Sequence, residues 1–334
     1  MPKPPAFGCT ACGASFARWA GRCTACGAMN TIAELTKAEA RLAAGSGDAR
    51  PRAAALVREP FASSSAAPAP RLSTGIGELD RVLGGGLVPG GVVLITGEPG
   101  IGKSTLLGQA ALGAAQQTGA LGAALPSGAL GAERQAGSVL YATAEESLEQ
   151  VRARMRRLGA AADARVELAA SGDAAALAAA LAGTRLAVID SVQLLALDGV
   201  DGEPGGVAQV KACAHALAQA AKATGTALVL VGHVTKDGGV AGPRLLEHLV
   251  DVVLSFEGDR YGDLRILRAL KNRSGSTQEL GLFRMGGSGL EEVPDAGGLF
   301  LADRDPDVPG TCVCPVLDAG RCLLVEVQIG RAHV

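Results

Sequence analysis

The feature that most constrains the fold of this chain is a glycine-rich segment between a strand pattern and a helix pattern. The apolar run at 92–95 leads into Gly97–Thr105, which reads Gly-Glu-Pro-Gly-Ile-Gly-Lys-Ser-Thr. This segment matches G-x-x-x-x-G-K-[ST] in full, and residues 106–112 after it predict a helix. Strand, glycine-rich loop and helix in this order form the context in which backbone N–H groups cradle phosphates. The sequence therefore predicts a nucleotide-binding α/β domain.

The residue types in this loop predict how ATP and Mg²⁺ are held. Lys103 is expected to reach the β- and γ-phosphates, and Ser104 is expected to bind Mg²⁺. The predicted nucleotide-binding residues are those of the whole motif, namely Gly97, Glu98, Pro99, Gly100, Ile101, Gly102, Lys103, Ser104 and Thr105.

Two acids follow further strand patterns downstream of the loop. Glu145 comes after the strand pattern 138–143, where a carboxylate is well placed to orient an attacking water. Asp190 ends the apolar run from Arg185 and is expected to hold Mg²⁺ through water. Either acid alone is more often a cap or turn residue, but their joint placement favours a hydrolytic site. The predicted catalytic residues are Lys103, Glu145 and Asp190.

Two further segments carry charge without a decided role. The strand pattern 227–231 leads to a glycine-rich loop with His233 and Lys236, which could sense the γ-phosphate or contact DNA. The run 264–273 gathers positive charge, and its commoner interpretation is a solvated edge strand.

The first thirty residues carry a metal-binding pattern. Cys9 and Cys12 form one C-x-x-C pair, and Cys23 and Cys26 form a second. Two such pairs supply the four sulfurs that tetrahedral Zn²⁺ accepts, with no position left open for a substrate. The alternative is a pair of redox dithiols. Because so short a segment buries little core, a structural zinc ion is predicted to supply its folding energy.

Composition and charge narrow the class of protein. Among 334 residues 48% are hydrophobic and only 3% aromatic, so the core is predicted to be aliphatic and rich in alanine. The net charge is −2, which means that any DNA site must be a local basic patch. Residues 1–60 carry a net charge of +4, which fits nucleic acid and a solvated basic linker about equally well.

The sequence predicts a cytoplasmic protein. The N-terminus lacks the apolar stretch of a secretory signal, and no run of uncharged apolar residues has membrane-spanning length. Four of the eight cysteines belong to the metal pattern, which favours a reducing compartment over a disulfide framework.

The motifs together resemble the bacterial RadA/Sms family over Cys9 to Gln328. Their order along the chain is that of the family: zinc knuckles, P-loop, Glu-Glu-Ser (145–147), Ile-Asp-Ser (189–191), Gly-His-Val-Thr-Lys-Asp-Gly (232–238) and Lys-Asn-Arg (271–273). One departure is Ser274, because the family signature has phenylalanine directly after Lys-Asn-Arg.

The resemblance implies a RecA-like, DnaB-type ATPase that forms homohexameric rings and drives branch migration in recombination and DNA repair. The implied partners are single-stranded and branched DNA and a RecA-type recombinase, with no membrane. Lys271 and Arg273 are implied to serve the nucleotide of a neighbouring subunit, and Lys236 to contact DNA phosphates from a pore loop. The alternative from a different class is a nucleotide-gated DNA-binding scaffold with little motor activity.

The resemblance also implies the domain boundaries. A zinc module at 1–30 is followed by a linker at 31–70, in which Thr31–Leu42 could form a short helix. The RecA-like ATPase domain is expected at 71–290. Residues 291–334 are expected to begin a Lon-protease-like domain that the chain cuts short, and the ending Ile329–Val334 departs from the family and is expected to be non-native.

Overall fold

The fold is described from a computed structural model of the 334-residue chain. Its described residues are 7–10, 14–34, 70–121, 138–161, 164–233, 243–258, 263–295, 298, 301, 304–305, 307–318 and 321–328. The chain divides into two compact units, Met1–Ala67 and Pro68–Val334.

The first unit contains a small antiparallel sheet. Its strands are β1 (Phe7–Cys9), β2 (Ser15–Phe16) and β3 (Ile32–Glu34), in the order β2-β1-β3. The prediction of a helix beginning at Thr31 is wrong for residues 32–34, because Ile32 pairs with Cys9 as part of this sheet. The remainder of that predicted helix lies outside the described residues.

The second unit is built on a nine-stranded sheet in the order β12-β11-β10-β9-β4-β8-β7-β5-β6. The six strands from β9 to β6 are parallel, and β10, β11 and β12 extend the sheet in antiparallel fashion. The strands are β4 (Val92–Gly97), β5 (Ser138–Thr143), β6 (Val166–Ala170), β7 (Thr184–Asp190), β8 (Ala227–Val231), β9 (Val252–Gly258), β10 (Leu264–Asn272), β11 (Leu280–Gly286) and β12 (Gly289–Glu292).

Helices cover both faces of this sheet, as continuous apolar strands require. Odd positions such as Val93 and Ile95 pack with the first three helices, whereas Val92 and Leu94 pack with the later ones. The helices are α1 (Gly77–Leu83), α2 (Lys103–Leu121), α3 (Leu148–Arg157), α4 (Ala174–Ala180), the 3₁₀ turn Val192–Leu194, α5 (Val207–Thr224) and α6 (Pro243–Leu246). The observed architecture is therefore the predicted RecA-like α/β core.

Helix α1 is stabilised at its start by a residue from β12, the last strand of the nine-stranded sheet. Its N-cap residue Ile76 provides no side-chain hydrogen bond. The carboxylate of Glu292 instead accepts the backbone N–H of Glu78 at 2.6 Å. The Glu78 carboxylate in turn accepts the backbone N–H of Leu282 at 2.8 Å, so α1 is tied to both β11 and β12.

A separate hairpin lies beyond the main sheet. Strands β13 (Thr311–Asp318) and β14 (Arg321–Gln328) pair antiparallel, and Leu323 packs against Leu280 and Leu282. The sequence at 322–328 has a strand-like pattern, and β14 is present there, while the assignment of this segment to a Lon-protease-like domain stays a prediction. Residues 329–334 lie outside the described residues.

A bilayer-spanning helix is not found in the described part of the chain, where no helix is both long and apolar enough.

Candidate active site and metal centre

The candidate site lies where four parallel strands end at the same edge of the sheet. Strands β4, β5, β7 and β8 run side by side, and the segments that follow them carry the predicted loop, Glu145, Asp190 and His233. In open α/β sheets ligands bind outside the carboxyl ends of the strands, so this edge is the expected binding place.

The loop after β4 needs glycine at positions where a side chain does not fit. A Cβ on Gly97 would lie 2.3 Å from the carbonyl oxygen of Phe256 on β9. Gly102 has φ +113°, and a Cβ there would lie 2.7 Å from the Met285 side chain. Gly100 has φ +76° but faces open space, at the exposed crest formed with Glu98 and Pro99. The crest is therefore shaped for close approach of a ligand to the backbone.

Lys103 begins α2 and turns back onto the loop. Its side chain is buried, with only 4% of the residue exposed, and Nζ donates to the carbonyl oxygens of Gly97 at 2.8 Å and Glu98 at 2.9 Å. Burial lowers the pKa of Lys103, although the charges of Asp190 and Glu145 act in the opposite direction. An anionic phosphate at the loop would stabilise the buried ammonium.

The first turn of α2 carries the remaining loop residues. Ser104 and Thr105 are half-buried directly after Lys103, and this turn contains no acidic residue. The positive end of the helix dipole is thus left for an anion.

Glu145 and Glu146 are placed by one turn after β5 but have different surroundings. The Thr143 hydroxyl oxygen accepts the backbone N–H groups of both, at 3.2 Å and 2.8 Å. Glu146 then binds Arg154 of α3 through both carboxylate oxygens, at 2.7 Å and 2.5 Å. The Glu145 side chain is 53% exposed, and one of its oxygens lies 3.5 Å from Nε2 of His233. Glu145 is therefore the one of the pair that is free of Arg154.

Asp190 ends β7 as a buried acid with a partner that the sequence analysis did not identify. Its Oδ2 accepts a hydrogen bond from the Tyr141 hydroxyl at 2.8 Å, and that hydroxyl also accepts from Arg154 at 3.2 Å. Burial and the Asp190 charge raise the pKa of Tyr141 well above its usual range. The available signal was a tyrosine inside the otherwise aliphatic strand pattern 138–143, in a chain with only 2 tyrosines.

Lys271 and Arg273 lie at the other edge of the sheet. Asn272 pairs with Val252, which pairs with Val93 near the start of β4, about 13 Å of strand from Gly97. Lys271 Nζ donates to the carbonyl oxygens of Glu247 and Val250, and burial lowers its pKa. Arg273 stays 56% exposed while it contacts Asp251 at 3.3 Å.

The family resemblance implies pore loops at 198–206 and 234–242, and only the first of these ranges lies within the described residues. Residues 198–206 are tied to α5 by the buried Gln209, whose side-chain amide donates to the Val200 carbonyl oxygen at 2.8 Å. Lys236 lies outside the described residues.

The metal-binding cysteines of the first unit converge. The sulfur atoms of Cys9, Cys23 and Cys26 all lie within 4.8 Å of one another, and those of Cys9 and Cys26 are 3.8 Å apart. Tetrahedral zinc with bonds of about 2.3 Å separates its sulfur ligands by about 3.8 Å. The three thiols therefore fit a zinc ion, and the predicted fourth ligand, Cys12, lies outside the described residues.

The loop and its acids likewise fit a magnesium nucleotide. The loop does not accept Cβ atoms at Gly97 or Gly102, and the Lys103 amine is held by the loop's carbonyl oxygens. Two carboxylates lie close enough to influence the pKa of that lysine. Backbone N–H groups, one ammonium and carboxylates are the donors that phosphates and Mg²⁺ require.

Two sequence families match parts of the chain. The AAA domain family matches residues 60–239, which is more than half of the chain. The family described as a rubredoxin metal binding domain matches residues 7–34.

Curated relatives match almost the whole chain. The DNA repair protein RadA of Pseudomonas aeruginosa is 45% identical over 96% of this chain and 67% of its own length. The proteins of the same name from Escherichia coli and Mycobacterium tuberculosis are each 42% identical, over 98% and 96% of this chain and over 68% and 63% of their own lengths. The chain thus spans about two thirds of the length of these relatives.

A solved structure of an ATPase domain has a similar fold. It aligns with a TM-score of 0.52 at 13% identity, over 70% of this chain and 94% of that one. At this identity the likeness concerns the fold alone. The AAA domain match, the metal-binding domain match and above all the curated relatives at more than 40% identity show that the chain belongs to the RadA family.

Proposed function

We propose that this chain is a DNA-dependent ATPase that drives branch migration of recombination intermediates during DNA repair. The observation that carries the proposal is the convergence of Lys103, Glu145 and Asp190 at the sheet edge beside the glycine-rich loop. The curated relatives bear the name DNA repair protein, which supports DNA as the molecule on which the ATPase acts.

The residues divide the chemistry among them. Mg²⁺ bound with ATP would neutralise phosphate charge, with Ser104 and Asp190 as the residues that hold it. Lys103 would exchange its two carbonyl contacts for the β- and γ-phosphates. Glu145 would accept a proton from the attacking water, for which its exposed carboxylate is suited. His233, whose Nε2 lies 3.5 Å from a carboxylate oxygen of Glu145, would sense the state of the γ-phosphate.

Assembly into a homohexamer would bring the other charged residues into use. Arg273 is exposed and lies far along the strand from its own loop, so we assign it to the nucleotide of a neighbouring subunit. Lys271 belongs to the same proposed contact, where its bonds to residues 247 and 250 would hold the segment in shape. We assign Lys236 to DNA phosphates, and zinc bound by Cys9, Cys12, Cys23 and Cys26 to the folding of the ribbon.

The test is ATP hydrolysis and strand movement by the purified chain, alone and extended by the part of its relatives that the match does not cover. We expect DNA to stimulate ATP hydrolysis. We also expect the strands of a labelled branched DNA to be exchanged by branch migration only when ATP is present. Lys103→Ala should abolish both activities, whereas the exposed Lys222→Ala on α5 should retain them.

The two outcomes that contradict the proposal are distinct. ATP-dependent DNA binding without strand movement by either version would favour the scaffold alternative. Hydrolysis that survives Lys103→Ala would exclude the glycine-rich loop as the active site.

A further inference from the structure

A chain of hydrogen bonds links Asp190 through Tyr141 and Arg154 to Glu146. Tyr141 lies on β5 next to β7, with no exposed surface, and its hydroxyl donates to Asp190 Oδ2 at 2.8 Å. In the register of these strands Thr143 pairs with Asp190. The tyrosine therefore reaches the acid from two residues further back along the neighbouring strand.

The same hydroxyl is held from its other side by Arg154. Nη2 of Arg154 lies 3.2 Å from the hydroxyl oxygen, and the guanidinium carbon lies 5.8 Å from the ring centre. Arg154 is itself fixed, because only 11% of its side chain is exposed and its Nη1 binds both oxygens of Glu146.

The direction of each hydrogen bond follows from the groups involved. An arginine side chain has donors only, so the tyrosine oxygen must accept from Arg154. The hydroxyl hydrogen is then left for Asp190, and an ionised carboxylate can only accept it. One oxygen of Asp190 is thereby occupied in a fixed direction, which sets the plane of the whole carboxylate group.

We propose that Tyr141 is a positioning residue that, held by Arg154 and Glu146, orients the Asp190 carboxylate for the magnesium ion of the bound nucleotide. This inference rests on the proposed ATPase function. It places Glu146 in a supporting chain to Asp190 and leaves its neighbour Glu145 to act on water. The two adjacent glutamates thus serve the site by separate routes.

A purely structural role for Tyr141 makes a different prediction. If the hydroxyl only satisfies nearby polar groups, its loss should lower the stability of the fold. Any change in nucleotide affinity should then be the same in the presence and in the absence of metal. A positioning role acts only when metal is present. The contribution of Mg²⁺ to nucleotide affinity therefore separates the two.

The experiment measures the affinity of fluorescent mant-ADP in Mg²⁺ and in EDTA for the wild-type chain and for Tyr141→Phe. We expect the affinity in EDTA to be unchanged and the gain from Mg²⁺ to shrink about tenfold or more, as expected for the loss of one hydrogen bond to a charged group. Arg154→Lys keeps the charge but has one nitrogen where Arg154 uses Nη1 for Glu146 and Nη2 for Tyr141, and it should shrink the gain about twofold.

The matched control removes a buried hydroxyl elsewhere in the unit. Thr226, also without exposed surface, donates to the carbonyl oxygens of Leu181 and Thr184, so Thr226→Val should lower the melting temperature and leave the Mg²⁺ gain intact. An unchanged gain in Tyr141→Phe, or equal losses in Mg²⁺ and EDTA, would overturn the proposal. If Tyr141→Phe does not fold, Arg154→Lys is read by the same criteria.

The measurement does not depend on turnover. Absence of ATP hydrolysis in the wild-type chain would defeat the proposed function, while the Mg²⁺ dependence of mant-ADP binding would still report on Asp190.

Discussion

The zinc ribbon and the ATPase unit hold their chains folded by different means. Among the described residues of the ribbon, the buried hydrophobic cluster consists of Cys9, Cys23 and Ile32, and two of these three are also proposed metal ligands. The ATPase unit buries aliphatic side chains on both faces of its sheet, and its functional groups lie at the ends of strands that are already packed. In the first region, site and core therefore share Cys9 and Cys23, whereas in the second they are separate.

The largest effect that tests this difference is expected on removing zinc. A chelator, or Cys26→Ser, should unfold the ribbon and reduce the zinc content to zero, because metal binding supplies about 10–16 kcal/mol in structural zinc sites. The thermal transition of the ATPase unit should stay where it was. Zinc analysis together with limited proteolysis of residues 7–34 measures both.

A second cysteine variant reverses this pattern. Cys213→Ser changes a thiol that is buried in the core on α5. It should lower the melting temperature of the ATPase unit and leave the zinc content unchanged. A ribbon that resists protease without zinc would remove the contrast between the two regions.

Within the ATPase unit, the adjacent glutamates provide the next largest effect. Glu145→Gln should lower kcat by about 100-fold or more, the range for loss of a general base, while nucleotide binding persists. Glu146→Gln removes one charge from the Arg154 pair, so it should lower kcat only a few-fold and lower the melting temperature as well. Equal losses of kcat would contradict the separate routes assigned to them.

A smaller effect separates two glycines of the same loop. Gly97→Ala brings a Cβ against the Phe256 carbonyl oxygen and should destabilise the unit by about 3 kcal/mol, as overpacking does. A Cβ at Gly100 faces open space, so Gly100→Ala should reduce stability only by the cost of a left-handed backbone for alanine, about 1–2 kcal/mol. Urea unfolding with and without ADP measures both, and a larger loss for Gly100→Ala would contradict the close strand contact.

The smallest effect concerns the start of α1. Glu292→Ala removes the acceptor of the Glu78 N–H and should reduce the stability of the ATPase unit by about 1 kcal/mol, the usual loss for a helix cap. Glu291→Ala, on the other face of β12, is the matched control and should be neutral. Urea unfolding of the two variants compares them, and identical stabilities would show that the contact contributes nothing.

The parts of the fold and site that could be predicted are those encoded by neighbouring residues. The strand before Gly97, the loop, and the acids after two further strands all follow from short patterns, because parallel strands bring their ends to one edge. The double cysteine pairs were equally local. Both therefore identified their regions without knowledge of the tertiary structure.

What the sequence did not reveal depends on pairing between distant strands. The bond from Tyr141 to Asp190 requires β5 to lie beside β7, and the carbonyl partners of Lys271 lie more than twenty residues away. Residues 32–34 join a sheet because β1 is available to pair with them, which overrides a local helical tendency. Such contacts have no signature in the order of residues along the chain.

The bond between Glu292 and Glu78 has a consequence for how the protein is made. The two residues are 214 positions apart, so during synthesis the start of α1 leaves the ribosome long before its stabilising carboxylate exists. Until β12 has left the ribosome, residues 77–83 lack this contact. A released chain that ends at residue 288 should therefore be more sensitive to protease at α1 than a released chain that ends at residue 295. Helix α1, the first helix of the ATPase unit, is therefore among the last to gain all of its stabilising contacts.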